Sequence, residues 1–361
     1  MGKPNIIKRI FWNTDQNRFR TLWRLGIHTL LITILTSLFT VGLLFLAVTF
    51  DVATGTELQD MVAGTGPIDL MNAPWVNLVI TPLATFLGIF LATFLTGRWI
   101  DRRLFKNFGI TFSKRWFFDL GFGLGLGALL MGLIFLVGWL TGSIRVTGYF
   151  EVNSPDGGFV LALIQALVFF VFVGIYEELL SRGYHLLNLA EGFNSKLIGE
   201  RWALLLAFLV SSIVFGVLHL GNPNATWVSA VNITMAGLFL GLGMVLTGSL
   251  AIPIGLHITW NFFQGNVFGF AVSGINLGAT IIATETVANT WLVGGEFGPE
   301  SGLLSLAAIL IGSLLTVVWV RRSGKVRLQT DLAIYQPDEV QNGPVKQTTE
   351  DSRPTLDKLP D

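Results

Sequence analysis

The 361-residue chain is 52% hydrophobic and only 13% charged, about half the charged share of soluble domains, which points to a polytopic membrane protein. Its formal net charge of zero gives no basis for a nucleic-acid partner. The lack of cysteine excludes disulfides, thiolate catalysis and Cys-type zinc or iron–sulfur sites.

In chain order, Lys3 to Arg24 is polar and basic, without the apolar core and small-residue cleavage site of a signal peptide. Ile6 stands where a myristoylation signal needs Ser or Thr. Eight spans are then expected, at about 26–50, 75–97, 116–141, 159–183, 202–220, 226–248, 251–272 and 303–320. The loops 51–74 and 273–302 are longer and mildly apolar, and neither reads as a soluble domain. Residues 1–25 form an N-terminal segment, 26–320 a helical bundle, and 321–361 a tail read as disordered from its polar, aperiodic composition.

With eight spans, all but one of the 23 basic residues fall on the same side. Arg145 is the exception, sharing the other side with acids that include Glu151, Glu285, Glu296 and Glu300. That bias makes the basic side, with both termini, cytoplasmic. The expected fold is therefore an all-α, multi-pass bundle of eight transmembrane helices around an intramembrane polar cavity.

Glycines mark close helix approaches. Gly121, Gly123, Gly125 and Gly127 alternate at the start of the third span, and Gly237 and Gly241 form a GxxxG in the sixth. No strand precedes the first group, so helix packing explains both better than a dinucleotide loop does. Asp119 reads as a carboxylate in a helix N-terminal turn, where it suits the macrodipole.

The chemistry concentrates at the end of the fourth span, in Tyr176-Glu177-Glu178-Leu179-Leu180-Ser181-Arg182. An ionisable side chain at membrane depth costs roughly 3 kcal/mol, so three within six residues call for a reason. Glu178 and Arg182 are four apart and share a helix face. Glu177 lies about 100° around the helix and points elsewhere. A Glu–Arg pair capping the cytoplasmic end of a span is the plain alternative.

Two further pairs at i, i+4 spacing weigh against that alternative: Phe215/His219 at the end of the fifth span, and His257/Asn261 within the seventh. His28 and His185 have no matching partners in the sequence. A carboxylate in a low-dielectric site can act as general base toward water. A neutral histidine can hold that water, and a second histidine with an amide can donate to an oxyanion.

The depths of these residues conflict if every helix runs straight through. His257 lies near the cytoplasmic start of its span and His219 near the far end of its own. Two expectations reconcile them: a fourth helix continuing past Arg182 to about Ala190, and a fifth helix that stops at a cavity near Gly221-Asn222-Pro223.

Taken in order on separate spans, Glu177-Glu178-x-x-x-Arg182, Phe215-x-x-x-His219 and His257-x-x-x-Asn261 resemble the CPBP family of intramembrane proteases, which includes the type II CAAX prenyl endopeptidases and bacteriocin-processing or immunity-type members. The resemblance spans about residues 115–275. It implies an endopeptidase with Glu177 as general base, His219 holding water, and His257 with Asn261 stabilising the oxyanion. Glu178, Arg182 and Phe215 are implied as support. The implied partners are membrane lipid and a peptide or protein substrate, prenylated in the CAAX case.

The residues leave the metal question open. Glu177, His219 and His257 could supply three ligands to a divalent ion such as zinc, whereas glutamate chemistry needs no cofactor. A transporter path, or a non-catalytic immunity or scaffold protein of the same fold, are the alternatives to proteolysis. The lack of an inverted repeat between the halves and the intact polar set weigh against them.

Overall fold

A computed structural model describes residues 10–49, 79–152, 158–322 and 324–336. Most of it is helical: α1 (Thr21–Thr49), α2 (Thr81–Leu95), α3 (Lys114–Leu140), α4 (Phe159–Glu178), α5 (Leu186–Phe193), α6 (Gly199–Leu218), α7 (Trp227–Thr247), α8 (Ala251–Phe262), the short α9 (Thr290–Val293) and α10 (Leu303–Arg322). Among the described residues, seven helices are long and apolar enough to cross a membrane: Thr21–Ala47, Thr81–Asp101, Lys114–Leu140, Phe159–Phe193, Gly199–Gly221, Trp227–Thr247 and Leu303–Arg322. Large apolar side chains such as Leu38, Phe45, Leu133, Ile164, Ile213 and Leu314 are exposed along them, as an integral membrane protein requires. The expected loop 51–74 lies outside the described residues.

The eighth expected span, 251–272, takes another form. α8 is 12 residues long and continues as a π-helical turn over Phe263–Val267. Every residue from Ala251 to Ile258 is buried, as are Trp260 and Asn261. It is thus an enclosed core helix, shorter than the usual ~20-residue span. Its packing against α3 follows from the glycines: Gly123 lies against Ile252, and Gly127 against Thr259 and Trp260, so the two helices run parallel. Thr259 donates a hydrogen bond to the Leu124 carbonyl at 2.7 Å. Gly121 and Gly125 point into open space, so only alternate members of the glycine run serve the contact.

Helix ends follow local chemistry. Ser113 caps α3 by accepting from the Trp116 N–H, and Thr226 with Ser229 forms a capping box on α7. Gly248, at φ +70°, ends α7 in the left-handed conformation. Asp119, expected in a first helical turn, lies deeper because α3 starts at Lys114. It is buried, pairs with Arg115 at 2.8 Å and accepts from Trp319 Nε1 at 2.8 Å, tying α3 to α10.

The chain is not wholly α-helical. β1 (Trp12–Asn13) pairs with β2 (Arg18–Phe19), and β3 (Ile144–Val152) pairs antiparallel with β4 (Ala279–Thr286), with Ile144 opposite Thr286. The second sheet joins two connections that were expected to be loops. Residues 324–336, expected within a disordered tail, dock on the bundle. Gln329 bonds the carbonyls of Val245 and Leu246, and the Arg18 guanidinium lies 3.5 Å from the Tyr335 ring centroid. Residues 337–361 lie outside the described part.

Candidate active site

The helix begun by α4 does not stop at Arg182. A π-helical turn over Leu179–His185 carries it into α5, which ends at Phe193. The expected continuation past Arg182 is thus present, and Glu177 sits mid-way along a 35-residue helix. α6 ends as expected: a 3-10 turn, His219–Gly221, follows Leu218, and His219 and Asn222 both line a cavity. The depths are reconciled because α6 stops at that cavity, beside the loops around 273 and 300.

The cavity has a volume of about 460 Å³ and brings together Glu177, His219, His257 and Asn261. Most of its remaining lining is apolar, including Phe169, Phe170, Val173, Phe239 and Leu240. The enclosure expected to be polar is therefore an apolar chamber with polar groups set into it.

The two neighbouring glutamates differ sharply. Glu178 is fully buried, and its Oε1 accepts from both Arg182 Nη1 and His257 Nδ1, each at 2.8 Å. Arg182 also donates from Nη2 to the Gly237 carbonyl at 3.0 Å. Its guanidinium carbon lies 4.3 Å from the Phe215 ring centroid. Gly237 and Gly241 of the GxxxG face Arg182 and α6, so their missing side chains make room for a buried guanidinium.

Glu177, by contrast, keeps 24% side-chain exposure and lines the cavity. Its Oε2 is buried without a hydrogen-bond partner and lies 3.8 Å from His257 Nε2. A buried unpaired oxygen costs about 1–3 kcal/mol; Glu178 Oε2 is unpaired as well, but of the two acids only Glu177 lines the cavity.

Both histidines have defined orientations. His219 Nδ1 lies 2.7 Å from the Phe215 carbonyl. A carbonyl only accepts, so Nδ1 carries the proton and Nε2 is left for another partner. His257 Nδ1 likewise faces a carboxylate, and its Nε2 turns toward Glu177. Phe215 stands between them, with ring centroids 4.7 Å from His219 and 6.2 Å from His257. Among the described residues, no three His, Asp or Glu side chains lie close enough together to hold a metal ion.

His28 and His185 lie elsewhere. His28 is buried, stacked on Tyr184 at 3.5 Å and within 3.0 Å of Thr93 Oγ1. It has the partner that sequence spacing could not show.

One residue of the cavity escaped the sequence reading. Glu300, assigned there to an outer loop, is 7% exposed and lines the same chamber. Its Oε2 accepts from the Ser273 N–H at 2.7 Å and the Ser273 hydroxyl at 2.9 Å. Burial holds its carboxyl above the ordinary carboxylate range, although the Ser273 hydrogen bonds and the charges of His219 and His257 oppose that effect. The available signal was glycine density: Gly294, Gly295, Gly298 and Gly302 bracket it, as tight loop packing requires.

Residues 159–263 match the family model described as type II CAAX prenyl endopeptidase Rce1-like. The likeness to that family covers this stretch alone. It runs from the first residue of α4 to just past α8, so every residue of the three motifs lies inside it, whereas α3 and Glu300 lie outside. The resemblance to the CPBP proteases thus stands, over a shorter range than 115–275. No curated protein and no solved structure matches the chain. The Rce1-like stretch and the apolar helices together support a protease embedded in the membrane.

Proposed function

We propose that this protein is an intramembrane endopeptidase in which Glu177 activates water to hydrolyse a peptide bond. The observation that carries this reading is the contrast within one dipeptide. Glu178 is locked by Arg182 and His257, while Glu177 presents an unpartnered carboxylate to a cavity shared with His219, His257 and Asn261.

A water in that cavity can give its proton to Glu177 while His219 Nε2 accepts its second hydrogen, which orients the attacking oxygen. Glu177, Glu178 and Arg182 together leave one negative charge, which protonation of His257 neutralises. The His257 Nε2–H and the Asn261 amide can then donate to the oxyanion as it forms. Glu178 fixes the His257 ring through Nδ1, so its part is orientation. Collapse of the tetrahedral intermediate breaks the C–N bond, and the proton held by Glu177 passes to the departing amine. This route is written with water and side chains alone.

The apolar lining suits a substrate that carries lipid-like bulk beside the peptide, which favours a prenylated CAAX-type chain. Taken with the π turn after it, α8 runs alongside α3 in the same direction, which supports counting it as an eighth, enclosed pass. With eight passes, both ends of the bundle lie on the basic, cytoplasmic side.

The test is Glu177→Gln in the full chain, reconstituted in lipid and given a quenched fluorescent peptide ending in a prenylated Cys-aliphatic-aliphatic-X sequence. Turnover should drop at least a hundredfold. Wild-type turnover in this variant would remove Glu177 as the base.

A further inference from the structure

Glu300 has no part in the hydrolytic steps above, yet the fold holds it in their chamber. It lies in a short 3-10 turn, Pro299–Ser301, between Gly298 at φ +106° and Gly302. Two hydrogen bonds from Ser273 fix Oε2. Ser273 is in turn tied to the end of α6, because Asn222 Nδ2 donates to its carbonyl at 3.2 Å. Gly274 donates its N–H to the Phe297 carbonyl at 2.8 Å, which binds the two loops to each other. The segment bearing His219 and the loops bearing Ser273 and Glu300 therefore form one cross-linked wall.

Among the described residues Glu300 Oε1 has no hydrogen-bond partner, and unlike Oε2 of Glu177 and Oε2 of Glu178 it is not sealed from solvent. One oxygen is anchored and the other is left open, on a residue that lines the cavity. A carboxyl used only to brace the loop would gain by having both oxygens satisfied.

We infer that Glu300 is a substrate-binding residue, its free Oε1 accepting a hydrogen bond from an N–H donor of the peptide beside the scissile bond. The donor is either a backbone amide of the substrate or a basic side chain, both N–H chemistry that an acceptor-only oxygen selects. In an otherwise apolar chamber, such a contact fixes the register of the peptide against Glu177 and His219. The inference rests on the hydrolase reading for its substrate, but not on Glu177 being the base.

Glu300→Gln separates binding from bracing. The amide oxygen can still accept both Ser273 hydrogen bonds, while the free position changes from acceptor to donor. With the prenylated peptide above, KM should rise about tenfold or more, the effect of losing a hydrogen bond to a charged group, while kcat changes less than about threefold. The Kd of the same peptide for the Glu177→Gln protein should rise by a similar factor when Glu300→Gln is added. Unchanged KM and Kd would overturn the inference, as would a fall in kcat at constant KM, which would place Glu300 in the chemistry.

If Glu300→Gln does not fold, the substrate side decides. Single N-methylation of each backbone amide, and replacement of a lysine by norleucine, are read as KM on the wild-type chain. A rise of about tenfold at one amide, or at the lysine, identifies the donor. No rise at any position removes the proposed contact. Should Glu177→Gln cleave like the wild type, the assigned base fails while the Kd comparison still judges Glu300.

Discussion

The helix formed by α4, the π turn and α5 buries acids at two places and treats them in opposite ways. Near its end, Glu191 is saturated: Oε2 accepts from Arg18 at 2.6 Å and Arg24 at 3.0 Å, and Oε1 pairs with Arg103. Asp101 adds a second pair with Arg24 at 3.0 Å. Burial pulls the Arg18 guanidinium down to about 10 despite the opposing charge of Glu191, so it stays charged at neutral pH.

Four turns earlier, Glu177 has no hydrogen bond among the described residues and opens onto a chamber. Both places bury carboxylates beside arginine. One pairs both oxygens of Glu191 and joins the N-terminal segment, the turn after α2, and α5. The other leaves oxygens free. Unmet hydrogen-bonding capacity beside empty space, more than burial of charge as such, marks the acid that can react.

Substitutions can break or sharpen that contrast. The largest effect is expected at Glu177→Gln, with kcat lower by about 10²–10⁴ and an unchanged thermal unfolding midpoint in detergent; a lowered midpoint would place Glu177 with the bracing acids. Next comes Glu191→Ala, which removes the carboxylate partner of buried Arg18 and Arg103, leaves Arg24 with Asp101 alone, and should cost about 3–5 kcal/mol of stability. It should show as a lower unfolding midpoint, with normal kcat in whatever protein remains folded. Loss of kcat without loss of stability there would erase the distinction.

Asn261→Ala should lower kcat by about 10²–10³, the usual effect of removing an oxyanion donor, with KM little changed in the same peptide assay. The smallest change is expected for Tyr335→Ala, which removes a cation–π contact worth about 1 kcal/mol. It should speed proteolytic cleavage after residue 324 without altering peptide hydrolysis.

The residues that meet at the chamber were legible because they come in short helical spacings, and because ionisable groups in apolar runs are expensive enough to stand out. The continuation of the fourth helix and the early end of the fifth followed from comparing depths. Glu300 was not legible, since it reaches the chamber through loop packing between segments with no shared period.

The strands were missed for another reason. Ile144–Val152 and Ala279–Thr286 are rich in β-branched residues, but lie in connections that were read only for charge and length. The enclosure of α8 was not legible, because apolar composition does not reveal whether lipid or protein surrounds a helix. His28 shows the same limit at one residue: its partners Thr93 and Tyr184 come from distant parts of the chain.

The enclosure of α8 bears on how the protein is made. A helix that touches lipid on one side is kept at depth by partitioning, and can wait there for its neighbours. α8 has no such side, and it carries His257 at its middle and Asn261 near its end. On its own it would gain little by staying in the bilayer, so it has to be received by α3, α4 and α7, which precede it in the chain. The order of synthesis supplies a finished socket before the helix that fills it emerges, and reordering the helices by circular permutation would take that socket away.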